Sequence, residues 1–208
     1  MNDSQGKPPP TGISRRGFLT GTGVAAAAAA GLTAELAPAT AAQPAAPATP
    51  SAGPAPVLIE LTVNGKKMTT SVEPRVTLLD ALRNYLDVTG CKRVCDRGTC
   101  GACTVSMDGR TVYSCTTLAL EARGKDIKTA ESLGTGILDP VPAAFAACDA
   151  QQCGFCTPGF VVSMRAALDK NPNATPEQVE AALSGNICRC GTYEQMRHAI
   201  LQLCKKGG

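Results

Sequence analysis

Val57, Ile59, Leu61 and Val63 alternate with Leu58, Glu60 and Thr62, the period of two that marks a strand with one face buried. Asn64-Gly65 follows directly and is a strong two-residue hairpin signal, so Lys66 to Val72 reads as the return strand. Thr77 can cap a helix running to about Leu86, with Asp80 three residues on as its capping partner. A loop rich in glycine and cysteine covers Gly90 to Cys103. Thr104 to Met107 and Arg110 to Tyr113 read as strands around a second hairpin signal, Asp108-Gly109. Ile127 falls on a last short strand. Residues 57–133 therefore form a small α+β unit.

From about Asp139 the hydrophobic period lengthens to that of helices. Val141 to Ala150, Gly159 to Lys170, Pro176 to Leu183 and Tyr193 to Leu203 make four of them. Thr157-Pro158 and Thr175-Pro176 each place a capping threonine before a proline at the first helical position. Thr175 to Gln178 and Thr192 to Gln195 also fit the capping box. Residues 134–208 form a second, all-α unit.

The N-terminus has a different character. Ile13-Ser14-Arg15-Arg16-Gly17-Phe18-Leu19 has the form of a twin-arginine export signal. The stretch from Gly17 to Leu32 is too rich in alanine and glycine for a good membrane span. Ala39-Thr40-Ala41 and Thr40-Ala41-Ala42 offer cleavage sites. Residues 1–42 are thus expected to be a leader and 43–56 an Ala/Pro-rich linker. The mature chain is expected in the periplasm, without a transmembrane span. A chance arginine pair and an uncleaved anchor are the alternatives. Twin-arginine substrates cross the membrane folded, which suits a cofactor loaded beforehand.

Composition narrows the chemistry. A net charge of +3 over 208 residues, with no dense basic patch among aromatics, gives no case for nucleic acid. Eleven cysteines would suggest a disulfide scaffold in a much shorter secreted chain. Here none precedes Cys91, and they fall into sets. Cys95-x4-Cys100-x2-Cys103, with Cys115 further on, has the spacing of plant-type [2Fe–2S] ferredoxins. Four thiolates must wrap two irons, so three come from one tight loop and one from a neighbouring strand. Gly98 and Gly101 let the backbone approach and turn its N–H groups towards sulfur. A structural zinc site more often shows paired C-x2-C units. The second set, Cys153-Gly154-Phe155-Cys156 and Cys188-Arg189-Cys190, lies just ahead of two helix starts. Helix N-termini favour thiolates and anionic groups. By spacing alone an iron–sulfur cluster, a zinc site or a redox pair stays open for that set.

Three motifs together resemble one family. GCKRVCDRGTCGACTV (90–105), QCGFCTPG (152–159) and SGNICRCGTY (184–193) resemble the cluster loops of the molybdenum hydroxylases, the xanthine dehydrogenase and aldehyde oxidoreductase family. The likeness runs from about Val57 to Leu203 and is to the family's small iron–sulfur subunit. With its leader, the chain is similar to the periplasmic aldehyde oxidoreductases. The resemblance implies a ferredoxin-like (β-grasp) domain followed by a four-helix domain, each with one [2Fe–2S] cluster. Cys95, Cys100, Cys103 and Cys115 would bind the outer cluster. Cys153, Cys156, Cys188 and Cys190 would bind the inner one, beside a molybdenum–pterin cofactor held mainly by a large catalytic subunit. Gln152 and Cys190 match positions that approach the pterin. Substrate oxidation would occur on that partner, and electrons would leave through the inner and then the outer cluster to an FAD-binding subunit or a c-type cytochrome. No catalytic residue is expected on this chain. A free-standing double carrier and a zinc-stapled adaptor are the competing readings.

Other residues read more plainly. Val94 stands where the family usually has glycine. Cys91 is an extra thiol in the first loop; as a ligand in place of Cys95 it would give an awkward x8 spacing. Cys148 and Cys204 are read as small buried residues, with a disulfide after export as the alternative. His198 is read as a helix-surface residue, and Lys205-Lys206 as a solvated tail. Arg189 faces either an anionic cofactor or solvent. Two oxidised clusters with their thiolates would add about −4, so the loaded mature subunit is mildly acidic.

Overall fold

A computed structural model describes residues 53–205, all within one compact unit. The twin-arginine leader, most of the linker and Lys206 lie outside the described residues.

Five strands form one mixed sheet in the order β2-β1-β5-β3-β4. They are β1 (Val57–Val63), β2 (Lys66–Val72), β3 (Thr104–Met107), β4 (Arg110–Tyr113) and β5 (Asp126–Lys128). Strands β1 and β2 pair antiparallel from Val57↔Val72 to Val63↔Lys66. Asn64 and Gly65 turn the chain with φ of 51° and 77°, both left-handed as the tightest hairpin requires. Asp108 and Gly109 repeat the device between β3 and β4, with φ of 50° and 78°. The centre of the sheet is parallel, β1 against β5, and β5 also pairs antiparallel with β3.

The alternation of β1 puts Ile59, Leu61 and Val63 inside, each no more than 1% exposed. They pack on Leu78, Leu79 and Leu82, each worth about 1.5–3 kcal/mol when fully buried. Thr77 caps that helical segment as expected, its Oγ1 accepting from Asp80 N at 3.1 Å and donating to Asp80 Oδ2 at 3.0 Å. The segment is not one regular helix. A single α-turn, α1 (Leu78–Asp80), opens into π-turns over Ala81–Tyr85, closed by Leu86 N donating to Ala81 O at 3.1 Å. The wider coil delivers Val88 N to Leu82 O at 2.8 Å and leads into the cysteine loop.

The second half has four helices: α2 (Pro140–Ala147), α3 (Thr157–Lys170), α4 (Pro176–Ala182) and α5 (Tyr193–Lys205). Strands and helices segregate along the chain, so the α+β class holds. Helix α2 starts one residue earlier than the pattern predicts, because Asp139 Oδ1 accepts from Val141 N at 2.8 Å, and it stops at Ala147, just before Asp149 takes a left-handed φ of 51°. Helix α3 begins at Thr157 itself, not after it. Cys156 is the N-cap, and Thr157 and Pro158 fill the first turn. The Thr175 capping box forms as expected, Gln178 Oε1 accepting from Thr175 N at 3.0 Å. Phe145, Phe160 and Met164 centre this second core.

Helix α3 lies against β3 and β4 and joins the halves. Asn186 forms the polar hub there. Its Nδ2 donates to Gly101 O at 2.9 Å, and its Oδ1 accepts from Ser163 Oγ at 2.9 Å. Tyr113 OH donates to Gly185 O at 3.0 Å. Three glycines make this approach fit: a Cβ on Gly101 would sit 2.6 Å from Gly185 O, one on Gly159 would strike Gly101 O, and one on Gly185 would strike Tyr113 OH. No described helix is long and apolar enough to cross a membrane.

Candidate metal centres

The first cysteine set is shaped by its loop. Asp96, Gly98 and Gly101 take φ of 57°, 69° and 69°, and these left-handed turns aim backbone N–H groups inward. Gly98 N donates to Cys115 Sγ at 3.2 Å, and Thr99 N to Cys95 Sγ at 3.4 Å. Cys115 comes from just beyond β4. The thiols meet in twos, Cys95 with Cys100 and Cys103 with Cys115. Backbone N–H groups of Arg97 first, then Thr99 and Cys100, hold Cys95 down at about 6. Burial, with Cys103 alongside, pushes Cys115 up to about 11.

The second set gathers at the starts of α3 and α5. Gly154 and Gly191, with φ of 76° and 81°, fold the two short cysteine turns. Cys153 meets Cys190, and Cys156 meets Cys188. Cys188 is the buried member, and Thr192 Oγ1 lies 3.3 Å from its Sγ. Its backbone N–H donates to Tyr193 OH at 2.8 Å. The Tyr193 ring stands edge-on to Phe160, centroids 6.3 Å apart. Burial opposes ionisation of Cys188, but the hydroxyl and N–H of Thr192 outweigh it and bring the thiol to about 7. Burial and the neighbouring Cys188 push Cys156 up to about 12. The Phe155 N–H lowers Cys153.

These donor sets fit two-iron clusters. Among the described residues no three cysteine, histidine or acidic side chains converge tightly enough for one metal ion. Four thiols per set, close enough to act on one another's ionisation, match the four thiolates that hold a two-iron cluster. In each set hydrogen-bond donors lower some thiols while burial raises another. Beside the second set, Thr157 Oγ1 is buried with no hydrogen-bond partner.

One backbone bond joins the two sets. Ile187 N donates to Cys100 O at 2.9 Å, so a single hydrogen bond links Cys100 to the residue preceding Cys188.

The surface differs between the sets. Around the second, Cys153, Cys190 and Gln152 are exposed, and Phe155, Ile187 and Tyr193 each leave nearly half their surface open. Arg189 is exposed beside them. Val94, by the first set, is 56% exposed. Cys91 is buried in the sheet core, its thiol pushed up to about 11 by burial. Cys148 Sγ donates to Gln202 Oε1 at 3.3 Å, and neither it nor Cys204 is disulfide-bonded. His198 lies on the surface of α5, 3.4 Å from Glu194. Spacing rules overlooked Asn186, Gly159, Thr192 and Tyr193. The signal was present in their adjacency to Cys156, Cys188 and Cys190.

A mixed sheet and a helical layer, each carrying four paired thiols, define a protein with two iron–sulfur domains. Residues 61–135 match the family model of the 2Fe-2S iron-sulfur cluster binding domain, and 129–201 that of the [2Fe-2S] binding domain. The nicotine 6-hydroxylase small subunit of Paenarthrobacter nicotinovorans is 48% identical over 145 residues, 70% of this chain and 88% of that protein. The aldehyde oxidoreductase iron-sulfur-binding subunit PaoA of Escherichia coli K12 is 42% identical, covering 73% and 74%. The crystal structure of quinoline 2-oxidoreductase from Pseudomonas putida 86 contains a chain that is 40% identical, with a TM-score of 0.69, covering 73% of this chain and 96% of that one. In the aldehyde oxidoreductase of Desulfovibrio desulfuricans the match spans only 17% of a much longer chain, at 37% identity and a TM-score of 0.68. The chain belongs to the family of iron–sulfur small subunits of molybdenum hydroxylases.

Proposed function

We propose that this chain is the electron-transfer subunit of a periplasmic molybdenum-dependent hydroxylase, probed first as an aldehyde oxidoreductase. The observation that carries it is the two paired-thiol sets joined through Ile187 N and Cys100 O. Residues 57–133 act as a ferredoxin-like β-grasp cluster domain and 134–208 as a four-helix cluster domain. Cys95, Cys100, Cys103 and Cys115 hold the outer cluster; Cys153, Cys156, Cys188 and Cys190 hold the inner one. When bound, each [2Fe–2S] cluster takes up and gives up one electron at a time.

The chain's own residues do the rest. Gly98 and Thr99 N–H groups neutralise thiolate charge at the outer set. The Asn186 hub keeps the sets at fixed separation. Cys190 and Gln152 meet the pterin edge on the large molybdopterin-binding subunit, where substrate is oxidised. The half-open Phe155, Ile187 and Tyr193 fit burial against that subunit better than a free carrier. An FAD-binding subunit or a c-type cytochrome takes the electrons. The Arg15-Arg16 pattern supports folded export.

The test is co-expression with the neighbouring genes. A molybdenum-containing large chain should co-purify from the periplasm, and aldehyde should reduce this subunit's clusters. Isolation only as a stable, cluster-loaded monomer would overturn the subunit role.

A further inference from the structure

The two thiol sets are stabilised by different donors. At the outer set, the hydrogen bonds to sulfur come from backbone N–H groups of Gly98 and Thr99. At the inner set a side-chain hydroxyl joins the backbone N–H groups of Phe155 and Thr192: Thr192 Oγ1 lies 3.3 Å from Cys188 Sγ. Both residues are buried, Thr192 at 6% and Cys188 at 7% exposure. Water therefore does not compete for this bond, and its strength in a low-dielectric site exceeds that of a surface contact.

The geometry around Cys188 is fixed on both sides. Tyr193 OH accepts from Cys188 N at 2.8 Å, and the Tyr193 ring is braced edge-on by Phe160. Thr192 is locked at the start of α5, where its carbonyl accepts from Met196 N at 3.1 Å. A thiolate has no proton to give, so the hydroxyl must donate.

We propose that Thr192 is a potential-setting residue of the inner cluster, a role that presupposes the inner-cluster assignment above. Reduction adds one negative charge to the bound cluster. A hydroxyl donor on a ligand sulfur stabilises the more negative state more, and so raises the reduction potential. The outer cluster has no such side-chain donor among the described contacts. Thr192 thereby sets the driving force between the two clusters.

The experiment is an EPR-monitored redox titration of the purified, cluster-loaded protein, comparing wild type, T192V and T192S. Valine keeps the shape and removes the donor; serine keeps the donor. In T192V the equilibrium for reducing the inner cluster should fall about tenfold, or about 59 mV for one electron, while the outer signal stays at its wild-type potential. T192S should titrate like wild type. An unchanged inner potential in T192V overturns the proposal, as does an equal shift of both clusters or an inner cluster absent from T192V. A wild-type protein lacking a second [2Fe–2S] signal instead overturns the cluster assignment itself, and metal analysis separates that result from the others.

Discussion

Gly159 decides how closely α3 approaches the first cysteine loop, and Gly159→Ala tests that packing. On an open helix the change would stabilise by up to about 1 kcal/mol. Here the new Cβ would strike Gly101 O, with Ala102 Cα and Asn186 Nδ2 each at 3.1 Å. The first obstacle is backbone, held in turn by Asn186 and by Thr104 Oγ1, which donates to it at 2.6 Å. It cannot swing aside like a flexible side chain. Overpacking of this kind costs about 1–3 kcal/mol, and stretching the Asn186 bond adds about 1 kcal/mol. The net expectation is a loss of about 2 kcal/mol, or about thirty-fold in an equilibrium constant. Cluster loss is irreversible, so the assay is kinetic: bleaching of the visible absorption in a fixed denaturant. G159A should bleach up to about thirty-fold faster than wild type. A G159A protein that bleaches at the wild-type rate or slower would refute the packing account.

Four further outcomes follow from the same contacts. Asn186→Ala leaves the buried Ser163 hydroxyl without its acceptor and removes one of the donors to Gly101 O, which keeps Thr104, costing about 1–3 kcal/mol; it should also weaken the magnetic coupling between the reduced clusters, read as EPR line splitting. Cys115→Ser should remove the outer EPR signal and leave the inner one, while Cys188→Ser should do the reverse. Cys91→Ala should leave both signals intact, because that thiol is held in the sheet core. Gly98→Ala forces a side chain into a left-handed backbone with its Cβ 3.0 Å from Thr116 Cγ2; the strain of about 1–2 kcal/mol should appear as a lower thermal midpoint for loss of the outer signal.

Elements with a strong local code were legible in the sequence. Both hairpins sit on Asn-Gly and Asp-Gly, whose left-handed φ values no ordinary pair adopts cheaply. Asp80 and Gln178 met their capping threonines for the same local reason. The misses arose where tertiary contacts override local preference. The Leu78–Tyr85 segment widens into π-turns, a distortion no periodicity encodes. Thr157 looked like a cap but fell one residue inside the helix, since Cys156 takes that position. The cysteine spacings revealed both thiol sets. They did not reveal the meeting of Cys153 with Cys190, which depends on how two distant segments fold together. Asn186 was invisible because its partners, Gly101 and Ser163, lie 85 and 23 residues away.

The central claim is that eight of the eleven cysteines hold two [2Fe–2S] clusters. Iron and sulfide analysis with spin-quantified EPR of the fully reduced protein tests it most directly. The account predicts about four irons and four sulfides per chain and two distinct signals of about one spin each. One signal with about two irons, or zinc in place of the second cluster, would contradict it.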